Sequence, residues 1–481
     1  MKHLSRLLQD IPELKIELLQ NDPEISAISG TIQDCVENAL FVADVSETVD
    51  RERMGERMDG VDFIPQAIEA GARVILTRHD AVLPEKYKGT VLFLQEEKPM
   101  RFLGPLAASF YNHKKPDFVG AITGTNRKTS IVNFAAQLFG LAGKAAVSVG
   151  NMGIRNDSCQ VIDMFEAGIA VPETVDLHRL LYKFNRQGKR AFFTEATSHS
   201  IHYYRLEGMT CNAAAISNIT HDHLDFHGTM ENYFQTKARL FTEILSEDGT
   251  AILNADMDYF DELKAMCKKA GRKIIEYGRN AKDLRLLSSN HINNQLLIRF
   301  SWNGKTYAEA VPFVGYFQAY NILCSLAFAF AAELEPDQLI PLIPKLCPVE
   351  GRMEFVGNTL NGSFVYIDYA HTPDALLQVL KTARDIKQKR IISVFSCNGD
   401  RDKDKRPKMG EISQNYADLS IVTDGLPRSE TPLEIRNGII STSRELETVL
   451  SIEGRATAIK QAIKEAQEDD IIVIAGMGIR S

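Results

Sequence analysis

What the sequence lacks narrows its function first. Its seven cysteines (Cys35, Cys159, Cys211, Cys267, Cys324, Cys347 and Cys397) never form a Cys-x-x-Cys pair. That argues against a zinc site or a disulfide framework and fits a reducing compartment. There is no surplus of positive charge either: 55 Lys and Arg stand against 63 Asp and Glu, a formal net charge of −8. Without a basic footprint the chain is not expected to bind nucleic acid, and any small anionic substrate has to be held by local clusters of donors. The longest apolar segment, around residues 322–332, is far too short to span a bilayer, so no membrane association is expected. The N-terminal MKHLSRLLQDIPELK carries charges through its apolar stretch and no small-residue cleavage site, unlike a signal peptide. Internal repeats and low-complexity tracts are missing as well. What is present, 44% hydrophobic and 25% charged residues, is the balance of a globular cytoplasmic protein.

A chain of 481 residues is too long for one core and suggests about three domains. Residues 1–114 read as a small α/β unit, with a buried strand over 39–43, a helix over 63–72 and strands over 73–77 and 91–94. Pro116 marks a linker within 113–117. The unit 115–347 opens with the clearest pattern in the chain: an apolar strand over 118–123, a polar turn over 124–129 and an amphipathic helix over 130–142. Further strands are expected over 191–194, 213–217 and 250–253. The β-branched stretch 283–310 suits an antiparallel edge, and 321–334 a buried helix. In 348–481 strands (364–368, 390–395, 419–423, 471–475) alternate with helices (374–386, 407–415, 455–468). The fold class is therefore α/β in three domains: a central P-loop-type, mostly parallel sheet domain flanked by a small N-terminal α/β domain and a C-terminal Rossmann-like α/β domain.

Chemistry-bearing residues gather after the strands of the central unit. Gly124, Thr125, Asn126, Arg127, Lys128 and Thr129 lie between a strand and a helix N-terminus, where backbone N–H groups and the helix dipole favour phosphate. Lys128 could reach the outer phosphates and Thr129 could place a hydroxyl on Mg²⁺. Arg127, however, stands where the general Walker pattern has glycine, and an ordinary strand–helix turn is an equal reading. The cluster Glu195-Ala196-Thr197-Ser198-His199 follows a second strand, and Asn218-Ile219-Thr220-His221-Asp222-His223 a third. Strand ends are where α/β sheets keep metal and catalytic groups, and Glu195 with His223 could bind one Mg²⁺. Lys237, in an amphipathic helical stretch, would by itself be read as a solvated lysine.

The order TGTN-KT, E-x-x-SH, DHLD-x-HGTMENYF-x-x-KARLF, GRME, DYAHTPDAL, GDRDK-x-KRP and PRSE resembles the Mur ligase family, and within it the MurE type, from roughly residue 39 to the C-terminus. The resemblance implies an ATP- and Mg²⁺-dependent ligase of peptidoglycan precursor synthesis. Such an enzyme adds a third amino acid, meso-diaminopimelate or a relative, to UDP-MurNAc-L-Ala-D-Glu through an acyl phosphate. It implies that residues 1–114 bind the UDP substrate, 115–347 bind ATP and 348–481 bind the amino acid, in a monomer. Lys128 and Thr129 would meet the ATP phosphates and a first Mg²⁺, Glu195 and His223 a second, and Lys237 would be the carbamylated lysine. Thr197 and Arg205 would meet the UDP-muramyl peptide. Asn321 and Arg352 would contact the adenine nucleotide, with Asp368 and His371 closing over it, and Arg428 would reach the incoming amino acid.

Several family motifs are altered. Arg127 replaces the glycine before Lys128. The uracil-binding DSR is Thr31-Ile32-Gln33, TTP is Ala170-Val171-Pro172, and the asparagine of FN is Gln318. DNPR is Gly425-Leu426-Pro427-Arg428, and the closing GKGHE ends on Arg480. If the backbone at Arg127 is left-handed, a non-glycine residue costs about 1–2 kcal/mol there, and its side chain could fill the phosphate space. These changes define two further readings: a Mur-fold binding or scaffold protein with weak or lost catalysis, and a ligase with another acceptor.

Overall fold

Three sheets rich in parallel strands follow one another along the chain. The structure is a computed structural model describing residues 1–14, 22–44, 59–83, 85–87, 89–164, 170–292, 295–386, 389–442 and 446–476. The first sheet is parallel throughout, in the order Ala27–Ser29, Ala39–Ala43, Val74–Arg78, Leu92–Glu96. In the central sheet seven strands run parallel in the order Ala146–Gly150, Ala191–Glu195, Phe118–Thr123, Cys211–Ile216, Leu245–Asn254, Lys273–Gly278, Leu284–Ile292. Antiparallel strands extend it at both ends: Gly153–Asn156 and Val161–Asp163 on one side, Gln295–Trp302 and Lys305–Val311 beyond Leu284–Ile292 on the other. The third sheet has the order Glu354–Asn358, Phe364–Asp368, Ile471–Ala475, Ile391–Phe395, Leu419–Val422, Val449–Ser451, and only its first strand is antiparallel.

The period-2 geometry of a strand explains why Phe118–Thr123 has no polar face. Phe118 and Ile122 enter one core, with the helices Lys128–Leu141 and Tyr316–Ala331. Val119 and Ala121 enter another, with Leu177, Leu181 and Phe184 of the helix Thr174–Arg186. A strand covered on both faces has to be apolar throughout. The two helices of the first core are held together by Ser325 Oγ donating to the Ile131 carbonyl at 3.1 Å, and Phe134 stacks on Phe313 at 5.3 Å between ring centroids.

Element types follow the sequence reading, while two helix starts differ in a way that matters. The helix after the phosphate-loop candidate begins at Lys128, not residue 130, so Lys128 and Thr129 belong to its first turn. The helix expected from 321 begins at Tyr316 behind Gly315 (φ +109), which puts Gln318 and Asn321 in its opening turns. The helices Met100–Phe110 and Thr174–Arg186 and the hairpin 153–163 are left unassigned by the sequence pattern. Among the described residues no helix is long and apolar enough to cross a membrane.

Candidate active site

The C-terminal ends of Phe118–Thr123, Ala191–Glu195 and Cys211–Ile216 lie side by side, and the loops leaving them form one crevice. Gly124 begins the first loop at φ +137, and a Cβ there would fall 1.9 Å from Ser217 Oγ, so this position admits only glycine. The loop is tied to its neighbour: the Asn126 N–H donates to Asn218 Oδ1 at 2.9 Å, and Thr125 Oγ1 donates to the Thr220 carbonyl at 3.1 Å. Arg127 is left-handed (φ +74, ψ −11) at the helix N-cap, as a glycine in that place would be. Its side chain leaves the loop, with the guanidinium carbon 5.3 Å from the centre of the Tyr320 ring. The phosphate space is therefore not filled by it.

Lys128 folds back, its ammonium donating to the Gly124 carbonyl at 2.8 Å and the Thr125 carbonyl at 3.0 Å. Burial lowers its pKa, while the carboxylates of Glu195 and Asp222 pull the other way. Thr129 Oγ1 donates to Glu195 Oε1 at 2.8 Å and accepts from Arg352 Nη2 at 3.0 Å. Glu195 is 2% exposed, and the Asn151 N–H fixes it at 2.9 Å. Gly150 makes room for that carboxylate, since a Cβ would lie 2.2 Å from Glu195 Oε1. Gly150→Ala is expected to displace Glu195 and reduce ATP turnover at least tenfold, with an unchanged far-ultraviolet spectrum; equal turnover would remove Glu195 from the site.

Lys237 is 1% exposed rather than solvated. Its Nζ lies 4.4 Å from the Tyr233 ring centre and donates to the Gly124 carbonyl at 3.1 Å and to Thr123 Oγ1 at 3.4 Å. Burial, then the charge of Lys128, hold its pKa well below that of an ordinary lysine, against the pull of Asp222. Asp222 is the acidic centre: despite burial, His223, His371, Lys405 and Lys128 around it keep its carboxyl well below the usual range. His223, left-handed at φ +53, has Nε2 3.4 Å from Asp222 Oδ2. Burial, partly opposed by Asp222, depresses its pKa to about 4, so the imidazole is neutral.

The third sheet closes the crevice. Asn126 Nδ2 and Asn218 Nδ2 both donate to Asp374 Oδ2, at 3.0 and 3.3 Å, and Thr372 Oγ1 donates to Asn126 Oδ1 at 3.2 Å. His221 Nε2 meets Asp402 Oδ2 at 2.7 Å. Arg352 lies over the Tyr369 ring at 4.6 Å. His371 Nδ1 bonds the Tyr369 carbonyl at 3.0 Å, and burial lowers its pKa to about 4.

Other residues singled out from sequence are held by partners of their own. Asp368 accepts from the N–H groups of Met353 (2.8 Å) and Ala370 (2.7 Å), and burial raises its pKa to about 6. Asn321 is fully buried, its Nδ2 donating to Gln318 Oε1 at 2.8 Å. Thr197 caps the helix Ser198–His202 by accepting from the Ser200 N–H. Arg205 pairs with Glu173 at 3.1 Å. Arg428 sits at φ +53 on an exposed loop, its Nη1 3.5 Å from the Asp400 carbonyl. Arg480 and the rest of 477–481 lie outside the described residues. Sequence reasoning gave no role to Asp222, Asn218, Asp374 or Lys405. Each lies inside one of the sequence motifs, but it meets partners on other strand ends or on another sheet, which no spacing in the chain reveals.

Two family models match: the Mur ligase middle domain over residues 122–329 and the Mur ligase, glutamate ligase domain over 351–478. A UDP-N-acetylmuramoyl-L-alanyl-D-glutamate–2,6-diaminopimelate ligase of Agrobacterium fabrum is 33% identical, over 97% of this chain and 91% of its own length. Proteins of the same name from Zymomonas mobilis and Anaplasma marginale are each 36% identical, over 88% and 86% of this chain and 85% of theirs. A solved structure of that name superposes with a TM-score of 0.69 at 26% identity, covering 99% of this chain and 94% of the other. MurF from Acinetobacter baumannii, at 16% identity and a TM-score of 0.64 over 98% and 95% of the chains, shares the fold. Identity spread over nearly the whole length, on a sheet order that brings the loops after three strands to one crevice, leaves no room for a chance likeness: the chain belongs to the Mur ligase family.

Proposed function

We propose that the protein is an ATP-dependent ligase of the MurE type, acting as a monomer in the cytoplasm. It joins a free amino acid with a distal carboxylate, meso-diaminopimelate or a relative, to the D-glutamyl carboxylate of UDP-MurNAc-L-Ala-D-Glu. The observation that carries this reading is the convergence of Lys128, Thr129, Glu195, Lys237, Asp222 and His223 at three adjacent strand ends. A chain with no reaction to perform has no folding reason to bury two lysines beside one loop.

A carboxylate is a poor acyl donor because oxide is a poor leaving group. One of its oxygens attacks the γ-phosphorus of ATP, the bond to the β-phosphate oxygen breaks and ADP leaves. The amine nitrogen then attacks the acyl carbon of the acyl phosphate, the C–O bond breaks, and inorganic phosphate and a proton depart. Positioning and cationic stabilisation carry most of such a reaction. Lys128 and the loop 124–129 would hold the phosphates. Thr129 would meet a first Mg²⁺, and Glu195 with the neutral imidazole of His223 a second; when bound these ions would neutralise phosphate charge. Gln318 Nε2 and Asn321 Oδ1 are buried with no hydrogen-bond partner among the described residues, and a donor beside an acceptor matches the N7 and N6 edge of adenine. Arg352, Asp368 and His371 would flank the nucleotide from 348–481, and Thr197 and Arg205 would meet the muramyl peptide between 1–114 and 115–347. The contacts across the crevice exclude the water that would hydrolyse an acyl phosphate.

The test is ADP release by the purified chain with Mg²⁺, UDP-MurNAc-L-Ala-D-Glu and an amino acid, with the product weighed by mass spectrometry. Release that needs all three and yields the tripeptide is expected; none with any acceptor would mean a binding protein. Acceptor choice follows from charge. Arg428 can pair bidentately with a distal carboxylate, whereas L-lysine brings only a distal ammonium, for which Gly425 and Leu426 supply no charged partner. In competition at equal concentrations a carboxylate-bearing acceptor should outrun L-lysine at least tenfold; a preference for lysine would refute this reading of the pocket.

A further inference from the structure

Arg127 looks from sequence like damage to the phosphate loop, yet its surroundings describe a cation waiting for an anion. The backbone keeps the left-handed geometry the loop requires, at φ +74. The guanidinium is set over Tyr320 at 5.3 Å, and among the described residues no carboxylate pairs with it. Tyr320 is itself anchored, its hydroxyl donating to Asp256 Oδ2 at 2.9 Å. That carboxylate is occupied, since the Arg279 and Asn280 N–H groups donate to it at 2.6 and 2.9 Å. Tyr320 also stands next to Asn321 in the helix whose buried Gln318 Nε2 and Asn321 Oδ1 have no hydrogen-bond partner among the described residues. Arg127 thus spans the interval between the helix N-terminus that would receive phosphates and the helix that would receive the purine.

We propose that Arg127 is a nucleotide-binding residue, its guanidinium leaving the Tyr320 ring to contact the phosphate chain on the ribose side of the terminal phosphate. This rests on the adenine-nucleotide reading above. A planar five-donor cation suits a phosphate oxygen pair, and an aromatic ring holds it nearby at little cost. The other nucleotide contacts of the loop would come from backbone N–H groups and Lys128, so Arg127 adds a second positive charge beside it.

Calorimetric titration of the full chain with Mg²⁺ and ADP, a non-hydrolysable ATP analogue or adenosine tests it in wild type, Arg127→Gly and Arg127→Lys. Arg127→Gly should bind ADP and the ATP analogue about tenfold more weakly, with a flatter dependence on ionic strength and unchanged affinity for adenosine. Arg127→Lys should keep part of the difference. The glycine variant should unfold no earlier than wild type, because the left-handed strain is relieved. Equal or tighter ADP binding by Arg127→Gly would overturn the proposal and leave the nucleotide reading standing. A wild-type chain that binds none of the nucleotides would overturn both.

Discussion

Lys237→Ala should lose ligase turnover by a factor on the order of 10³ or more while the protein stays folded. The side chain is 1% exposed and has no carboxylate partner among the described residues; a ring face, one carbonyl and one hydroxyl are its neighbours. A charged ammonium is poorly served there, and its depressed pKa follows from that burial and from Lys128 nearby. A neutral amine is the form that adds to carbon dioxide: the nitrogen bonds the carbon, one proton leaves, and the lysine ends in a carboxylate. Carbamylation would thus turn a misfit cation into an anion facing Lys128. Intact mass in bicarbonate buffer should rise by one CO₂ for wild type and not for Lys237→Ala, and formate or acetate should partly restore the variant's turnover. Stability separates this from a structural role. An amine whose pKa is lower folded than unfolded binds protons better when unfolded, so below its unfolded pKa it weakens the fold, increasingly as pH falls. Lys237→Met should therefore unfold later than unmodified wild type at neutral pH while remaining inactive. Near wild-type turnover in either variant would sink the assignment.

How much of this could be read from the chain depends on the range of the forces involved. Strands buried on both faces, such as Phe118–Thr123 and Ile471–Ala475, are legible because double burial leaves only apolar residues to choose from. The helix Lys128–Leu141 was legible as a helix but not in its start, because its N-cap is an arginine in a glycine conformation and no capping side chain announces it. Lys237 could not be separated from a solvated lysine by its position in a helix; only the packing of that helix on the loop buries it. Asp222 and Asp374 owe their surroundings to strand ends and a neighbouring sheet more than a hundred residues away in sequence. The motif order supplied what periodicity did not: it named Lys128, Glu195, His223 and Lys237 without saying how they meet.

Lys128→Met should cost turnover on the order of 10³ while weakening nucleotide binding far less. The ammonium is held by the carbonyls of Gly124 and Thr125 and so closes the loop upon itself. Those two acceptors are neutral. An arriving phosphate oxygen is a charged competitor, and charge-assisted hydrogen bonds are roughly twice as strong, so the lysine has reason to turn outward when nucleotide enters. The Asn126 N–H is already taken by Asn218 Oδ1, so backbone donors from the helix N-terminus at Lys128 and Thr129 would carry ground-state phosphate binding. They survive the substitution, which is why affinity should fall only several-fold. Charge on the migrating phosphoryl group and the departing oxygen peaks in the transition state, and there a mobile cation counts most. The methionine fills the same volume, so the helix from Lys128 should keep its start and Glu195 its place. Turnover measured beside the calorimetric Kd for ADP gives the split. A matching loss in both would make Lys128 a binding residue alone, and an unchanged turnover would mean that the phosphates sit elsewhere in the crevice.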